Sequence, residues 1–157
     1  LGPGKLVFDR ANPASIVSKS LTVACGIESS VGQVHCPEIS SELLKLNRQF
    51  CRAPTTGSFS IANDVIGVLD GSSVASKTVF FSVSAADFQK VRTWQPVGLD
   101  GKAVVVNVRG RAVQFGSGSM GSLNQIKNAL VWNFCGARTL EYNVGSFLVG
   151  GFLAPTA

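Results

Sequence analysis

At 157 residues, with 45% apolar side chains and a formal charge of +5, the chain is about one domain long and carries enough apolar material to bury a sizeable core, which excludes a wholly disordered segment. Its apolar runs are short and broken by Gly, Ser, Asn and Asp, which excludes a membrane-inserted helix. Lys and Arg are scattered rather than interleaved with aromatics, which excludes a nucleic-acid groove of the stacking kind and leaves affinity for acidic polysaccharide or anionic surfaces open.

Charged residues are sparse and Ser, Gly, Val and Thr plentiful, a balance more typical of extracellular β-proteins than of cytosolic helical ones. The first residues, LGPGKLVFDR, lack an initiating Met and a leader pattern, and read as the middle of a chain, a mature or processed fragment. From there to Val34 the runs KLVF, SIV and SLTVACGI are bounded by Gly, Pro or Asn and predict brief strands.

From Pro37 the period changes. Ile39, Leu43, Leu46 and Phe50 recur at helical spacing and predict one long helix over about 37–52, with Glu42, Lys45 and Gln49 on its wet face. Pro37 and Glu38 suit a first turn, because proline's missing N–H is not needed there and a negative charge favours the positive end of the helix dipole. Arg52 and then Pro54 close it.

After the helix, TGSFSIANDVIGVLDGSS and KTVFFSVS are strand-like, with Gly and Asn-Asp at the breaks. In SAADFQKV, Ser84 can cap a single helical turn, with Asp87 three residues on as in a capping box. Five β-rich runs follow: AVVVNVRG, AVQF, ALVWNF, TLEYNV and FLVGGFLA. Such spacing fits either hairpins of a sandwich or rungs of a solenoid. VVVNV and LVWNF are apolar on both parities, as covered or stacked strands are, and the repetition of short V-x-N-V/F units favours rungs over hairpins. Asn107, Asn133 and Asn143 recur at matching places, where stacked amides can form a ladder that satisfies backbone groups.

Four cysteines, Cys25, Cys36, Cys51 and Cys135, show wide spacing and no C-x-x-C. A zinc ribbon or thioredoxin-like site needs two sulfurs on one tight turn, so two disulfides in an oxidising compartment are the simpler expectation. Three pairings are possible; loop length favours Cys25 with Cys36 and leaves Cys51 for Cys135.

Candidate chemistry is thin. His35 is the only histidine; it lies beside Cys36 without a nucleophile motif or a metal-ligand set. Asp9, Asp64, Asp70, Asp87 and Asp100 mostly sit in turn-like contexts, where Asp bonds its own backbone. GSGSMG at 116–121 lacks the Lys-Ser/Thr ending of a phosphate loop and reads as a flexible turn. No enzyme, cofactor or metal is expected. Possible surface-binding residues are Trp94, as a carbohydrate-stacking ring or else a core residue under a loop, and the basic pair Arg109 and Arg111.

The ordered series TGSFSI, TVFFSVSAADF, AVVVNVRGRAVQF, NALVWNFCGARTLEY and VGGFLAPTA resembles the choice-of-anchor A family of cell-surface adhesive domains, over about residues 37–157. The resemblance implies a secreted or wall-anchored, mainly β fold: a β-solenoid similar in architecture to ice-binding domains, with the long helix alongside. It also implies that residues 1–157 form a single domain, the C-terminal part of a larger one whose Gly-rich N-terminal segment is missing or reduced. Cys135 departs from the family pattern and points to a disulfide-stabilised variant. The function implied is non-enzymatic adhesion through a rigid surface, with an extracellular glycan, a surface protein or copies of the chain itself as partner. The alternatives are a self-assembling subunit of a filament or matrix, and an ice-binding or glycan-binding surface. Ice binding needs flat ranks of Thr, Ser or Ala, and the T-x-T ranks are absent here.

Overall fold

The computed structural model describes residues 6–8, 27–29, 37–116, 118–141 and 148–155. The chain divides into two compact units, Leu1–Glu42 and Leu43–Ala157. In the first, β1 (Leu6–Phe8) and β2 (Ile27–Ser29) pair in parallel with Leu6 opposite Ile27. Its end enters α1 (Pro37–Arg52), the helix expected from the periodicity.

The larger unit begins within α1. Glu42, Lys45 and Gln49 are exposed as expected, but so are Leu43 and Leu46, each 38% accessible. Among the described side chains of α1 the buried one is Asn47, flanked by half-buried Leu44, Phe50 and Cys51. Helical spacing locates a face but does not say which part of it meets a neighbour.

Beyond α1, β3 (Ser58–Ala62) and β4 (Ile66–Asp70) form an antiparallel hairpin. The reversal is made by Asn63 and Asp64, at φ 48° and 61°, a left-handed backbone that Asn and Asp tolerate better than other side chains. The edge of β4 pairs in parallel with β6 (Thr93–Val97). Four parallel strands make the central sheet: β5 (Thr78–Ser84), β7 (Ala103–Arg109), β9 (Leu130–Cys135) and β11 (Gly151–Leu153), in the order β11-β9-β7-β5. A third sheet pairs β8 (Ala112–Gln114) with β10 (Thr139–Glu141). Between β5 and β6 lies α2 (Ala85–Lys90), and the 3-10 segment Gly121–Ala129 precedes β9.

This arrangement overturns the expected mainly β solenoid. The fold is mixed α/β, its strands divided among several small sheets, and the described residues close no solenoid. Two local signals account for the difference. The Asn63–Asp64 turn reverses the chain and sets an antiparallel pair where a parallel rung was expected. Helical segments interrupt the succession of strands, the first of them started by the Ser84 cap: its hydroxyl accepts from the Asp87 N–H at 3.0 Å and donates to the Asp87 carboxylate at 2.7 Å.

The core lies between the sheets. Inward-facing Val79, Phe81 and Val83 of β5, Val104, Val106 and Val108 of β7, and Leu130, Trp132 and Phe134 of β9 are all nearly inaccessible. The short α2 delivers Phe88 into their midst, 5.4 Å from the Trp132 ring and 5.2 Å from Phe115. The Trp132 indole N–H donates to the Val149 carbonyl at 2.8 Å, so its polar edge is paired despite complete burial. On the outer face, α1 covers Asn107 and Asn133. That double covering explains why β7 and β9 are apolar on both parities.

Candidate binding surface

Asn107 and Asn133 are register partners on β7 and β9, and their side chains stack in the expected ladder. The Asn133 amide donates to Asn107 Oδ1 at 2.7 Å, and Asn47 of α1 donates to Asn133 Oδ1 at 2.7 Å and to the Phe134 carbonyl at 3.1 Å. Asn107 in turn donates to the Phe50 carbonyl at 2.7 Å. Three amides, 5% accessible or less, thus bolt the helix to the sheet. Nothing in the spacing of α1 marked Asn47 for this role, since its only signal is a polar residue beside an apolar stripe. Asn143, the third repeat, lies outside the described residues.

Beside the ladder, Cys51 of α1 is joined to Cys135 at the end of β9, across 84 positions of sequence. The Asn133 amide nitrogen lies 3.2 Å from Cys51 Sγ and 3.4 Å from Cys135 Sγ, so the covalent and hydrogen-bonded braces meet at one point. Cys25, Cys36, His35 and Asp9 lie outside the described residues.

Arg109 stands at the end of β7, in register with Cys135. Its Nε donates to the Ser82 hydroxyl at 2.9 Å and its Nη2 to the Cys51 carbonyl at 2.8 Å. A cation there also complements the negative end of the α1 dipole. Arg111 is exposed just past the turn, and its carbonyl accepts the Arg138 N–H at 2.7 Å. Arg48 and Arg52 project from α1 and, with Leu44, Asn47, Cys51, Cys135 and Gly136, line a shallow groove of about 270 Å³. Arg48, Arg52 and Arg138 were not singled out in the sequence as binding residues, because only the fold sets Arg48 and Arg52 beside Cys135 and Gly136 and Arg138 beside Arg111.

Trp94, considered as a surface ring, is in the core at 3% accessibility. Its centroid is 4.8 Å from that of Trp132 and 5.7 Å from that of Phe88. On β6 every second residue points inward, and Trp94 occupies an inward place; it cannot stack on a sugar from there. GSGSMG is not a free turn either: the Ser119 N–H donates to the Arg92 carbonyl at 2.8 Å, and Ser119 bridges Thr93 in parallel. A Cβ at Gly118 would collide with that same carbonyl, which is why glycine stands there.

Two of the described carboxylates, Asp70 and Asp87, are tied to their own neighbours in sequence. Asp70 accepts from the Ser72 hydroxyl at 2.6 Å and the Ser72 N–H at 2.9 Å, and these bonds hold its carboxyl below the ordinary value. Asp87 is lowered by its bond from Ser84, then by the one from Lys90. Among the described residues no three His, Cys, Asp or Glu side chains converge as a metal site would require. No described helix is long and apolar enough to cross a membrane.

Small sheets braced by a helix, an amide ladder and a disulfide, with polar interior groups tied into the frame, define a rigid scaffold. The chain belongs to the family described as "Putative Ice-binding-like adhesive domain", whose model matches residues 2–157. The match supports the adhesive, ice-binding-like side of the resemblance, under a title other than choice-of-anchor A. No curated protein and no solved structure matches the chain.

Proposed function

We propose that the chain is a non-enzymatic, extracellular adhesive domain that binds a glycan or surface protein of the cell wall or matrix through an exposed face. One observation carries this reading. Every buried side-chain nitrogen and oxygen among the described residues already has a hydrogen-bond partner. These groups serve the frame, and the exposed donors, Arg48, Arg52, Arg111 and Arg138 among them, lie on its outside. Membership of an adhesive family supports a location at or beyond the cell surface, and the Cys51–Cys135 bond suits an oxidising compartment.

The test is adhesion of the purified chain to insoluble wall polysaccharides and immobilised matrix proteins, read by pull-down and biolayer interferometry. Saturable retention on at least one of them is expected; absence of retention on all, together with strictly monomeric scattering, would refute the reading.

A second reading is self-assembly. The β11 strand ends the order of its sheet, and Phe152 within it and Leu148 before it are exposed at 39% and 37%. An edge with apolar side chains can pair with another copy. Light scattering that rises with concentration supports it, and a constant monomer mass excludes it. Ice binding has less support: the outward rows of the central sheet carry Phe80, Val105 and Val131, then Ser82, Asn107 and Asn133, instead of ranks of Thr. A thermal hysteresis assay decides that point.

A further inference from the structure

Resting on the adhesive reading, we infer that the ligand is an acidic polysaccharide, gripped through its carboxylate or sulfate groups by a row of arginines at the corner where α1 meets the ends of β7 and β9. Four guanidinium groups form the row: Arg48 and Arg52 on the helix, and Arg111 and Arg138 on the turns that leave the sheet.

Their proximity follows from the contacts. Arg48 and Arg52 are four apart on one helix, which places their Cβ atoms about 6 Å from each other. Both line the groove whose opposite wall is Cys135 and Gly136. Arg138 is two residues beyond Gly136, within about 7 Å of extended chain. Arg111 and Arg138 lie on strand paths joined by the Arg138 N–H to Arg111 carbonyl bond, and such paths run about 4.8 Å apart. All four side chains are exposed. Among the described residues, the ion pair between Lys90 and Asp87 engages none of them.

Like charges crowded on a surface repel unless an anion sits among them, and among the described residues no ion pair supplies one. From residue 43 to Pro54 there are three cations and no acid; from 101 to 157 there are five cations against the single acid Glu141. The guanidinium fork matches a carboxylate or sulfate with two parallel hydrogen bonds. Arg109 acts differently, as a positioning residue: its bonds to Ser82 and the Cys51 carbonyl hold the helix end, and with it Arg52, against the sheet.

Other polyanions fit less well. A single-stranded nucleic acid needs aromatic platforms between the cations, and both tryptophans are buried. A membrane needs apolar or aromatic side chains to enter the interface beside the charges, and the groove offers only half-buried Leu44.

The experiment measures binding of the whole chain to polygalacturonate and to heparin, with neutral dextran, single-stranded DNA and anionic phosphatidylserine vesicles alongside, from low to high salt. The fourfold variant Arg48→Gln, Arg52→Gln, Arg111→Gln, Arg138→Gln is compared with a variant losing the same net charge away from α1 and the groove, Lys77→Glu with Lys127→Glu. The arginine variant should bind polyanion on the order of 10- to 100-fold more weakly, with a shallower salt dependence, while the lysine variant changes little. An unchanged melting temperature for both variants shows that the frame is intact. Equal loss in the two variants would overturn the inference, as would equal binding to dextran, or tighter binding to DNA or vesicles through the same arginines. If the fourfold variant still adheres to wall material as well as the parent, the arginine row is wrong and the adhesive reading stands. If the parent adheres to nothing, both fall.

Discussion

Replacing Asn133 by Ala tests the claim that a buried amide ladder holds the helix on the sheet. The side chain is wholly inaccessible and central to the network: its oxygen accepts from Asn47 and its nitrogen donates to Asn107. In the Asn133→Ala variant, Asn47 keeps the Phe134 carbonyl, but Asn107 Oδ1 loses its only N–H donor among the described residues. A buried acceptor left unpaired costs about 1–3 kcal/mol, and the vacated volume adds to it, for a total of about 2–4 kcal/mol. For a chain of this size, about 2–4 °C of melting temperature per kcal/mol gives a fall of roughly 4–16 °C in calorimetry. The decisive comparison adds Asn107→Ala and the double variant. Removing Asn107 as well removes the orphaned acceptor, so the double variant should cost less than the sum of the singles by about 1–3 kcal/mol. Costs that add to within about 0.5 kcal/mol, or a melting temperature within about 2 °C of the parent for Asn133→Ala, would refute the ladder as a bolt.

Opening the Cys51–Cys135 bond, by reductant or by Cys51→Ser with Cys135→Ser, restores the freedom of a loop spanning 84 positions; chain entropy puts the loss near 4.6 kcal/mol, and denaturant melts should fall in the range of about 2–5 kcal/mol. Trp94→Ala removes a ring from the aromatic core and should destabilise by about 3–5 kcal/mol; in the parent, tryptophan emission should be blue-shifted and unchanged by added sugars, and a saccharide-induced shift would contradict the burial. The lowered carboxyls of Asp70 and Asp87 are charged in the folded state at acidities that protonate them in the unfolded chain. Their contribution is therefore complete above the ordinary carboxylate value of about 3.9 and lost as pH falls through their lower folded values. Carboxyl-detected NMR titration should place both midpoints below the ordinary carboxylate value of about 3.9, and midpoints at or above it would refute the turn bonds.

Signals that act within a few residues were legible. The period of Ile39, Leu43, Leu46 and Phe50 located α1 at Pro37–Arg52, and the Ser84–Asp87 spacing located α2, because capping and amphipathicity are local. The β-rich runs from TGSFSI onward became strands for the same reason, and the matching places of Asn107 and Asn133 anticipated their stacking. The candidate surface was half legible: Arg109 and Arg111 were marked by adjacency, whereas only the fold sets Arg48 and Arg52 beside Cys135 and Gly136 and the Arg138 N–H on the Arg111 carbonyl.

The sequence by itself determined where the segments are and which residues they want to bury, since propensity, turn chemistry and period are carried by neighbours along the chain. Only the tertiary structure decided how the strands divide among sheets, that Trp94 turns inward, and that Asn47 rather than Leu43 or Leu46 becomes the buried residue of the helix. Those outcomes depend on register and on which surface arrives opposite, and a polar side chain enters a core only when another segment brings its hydrogen-bond partner to meet it.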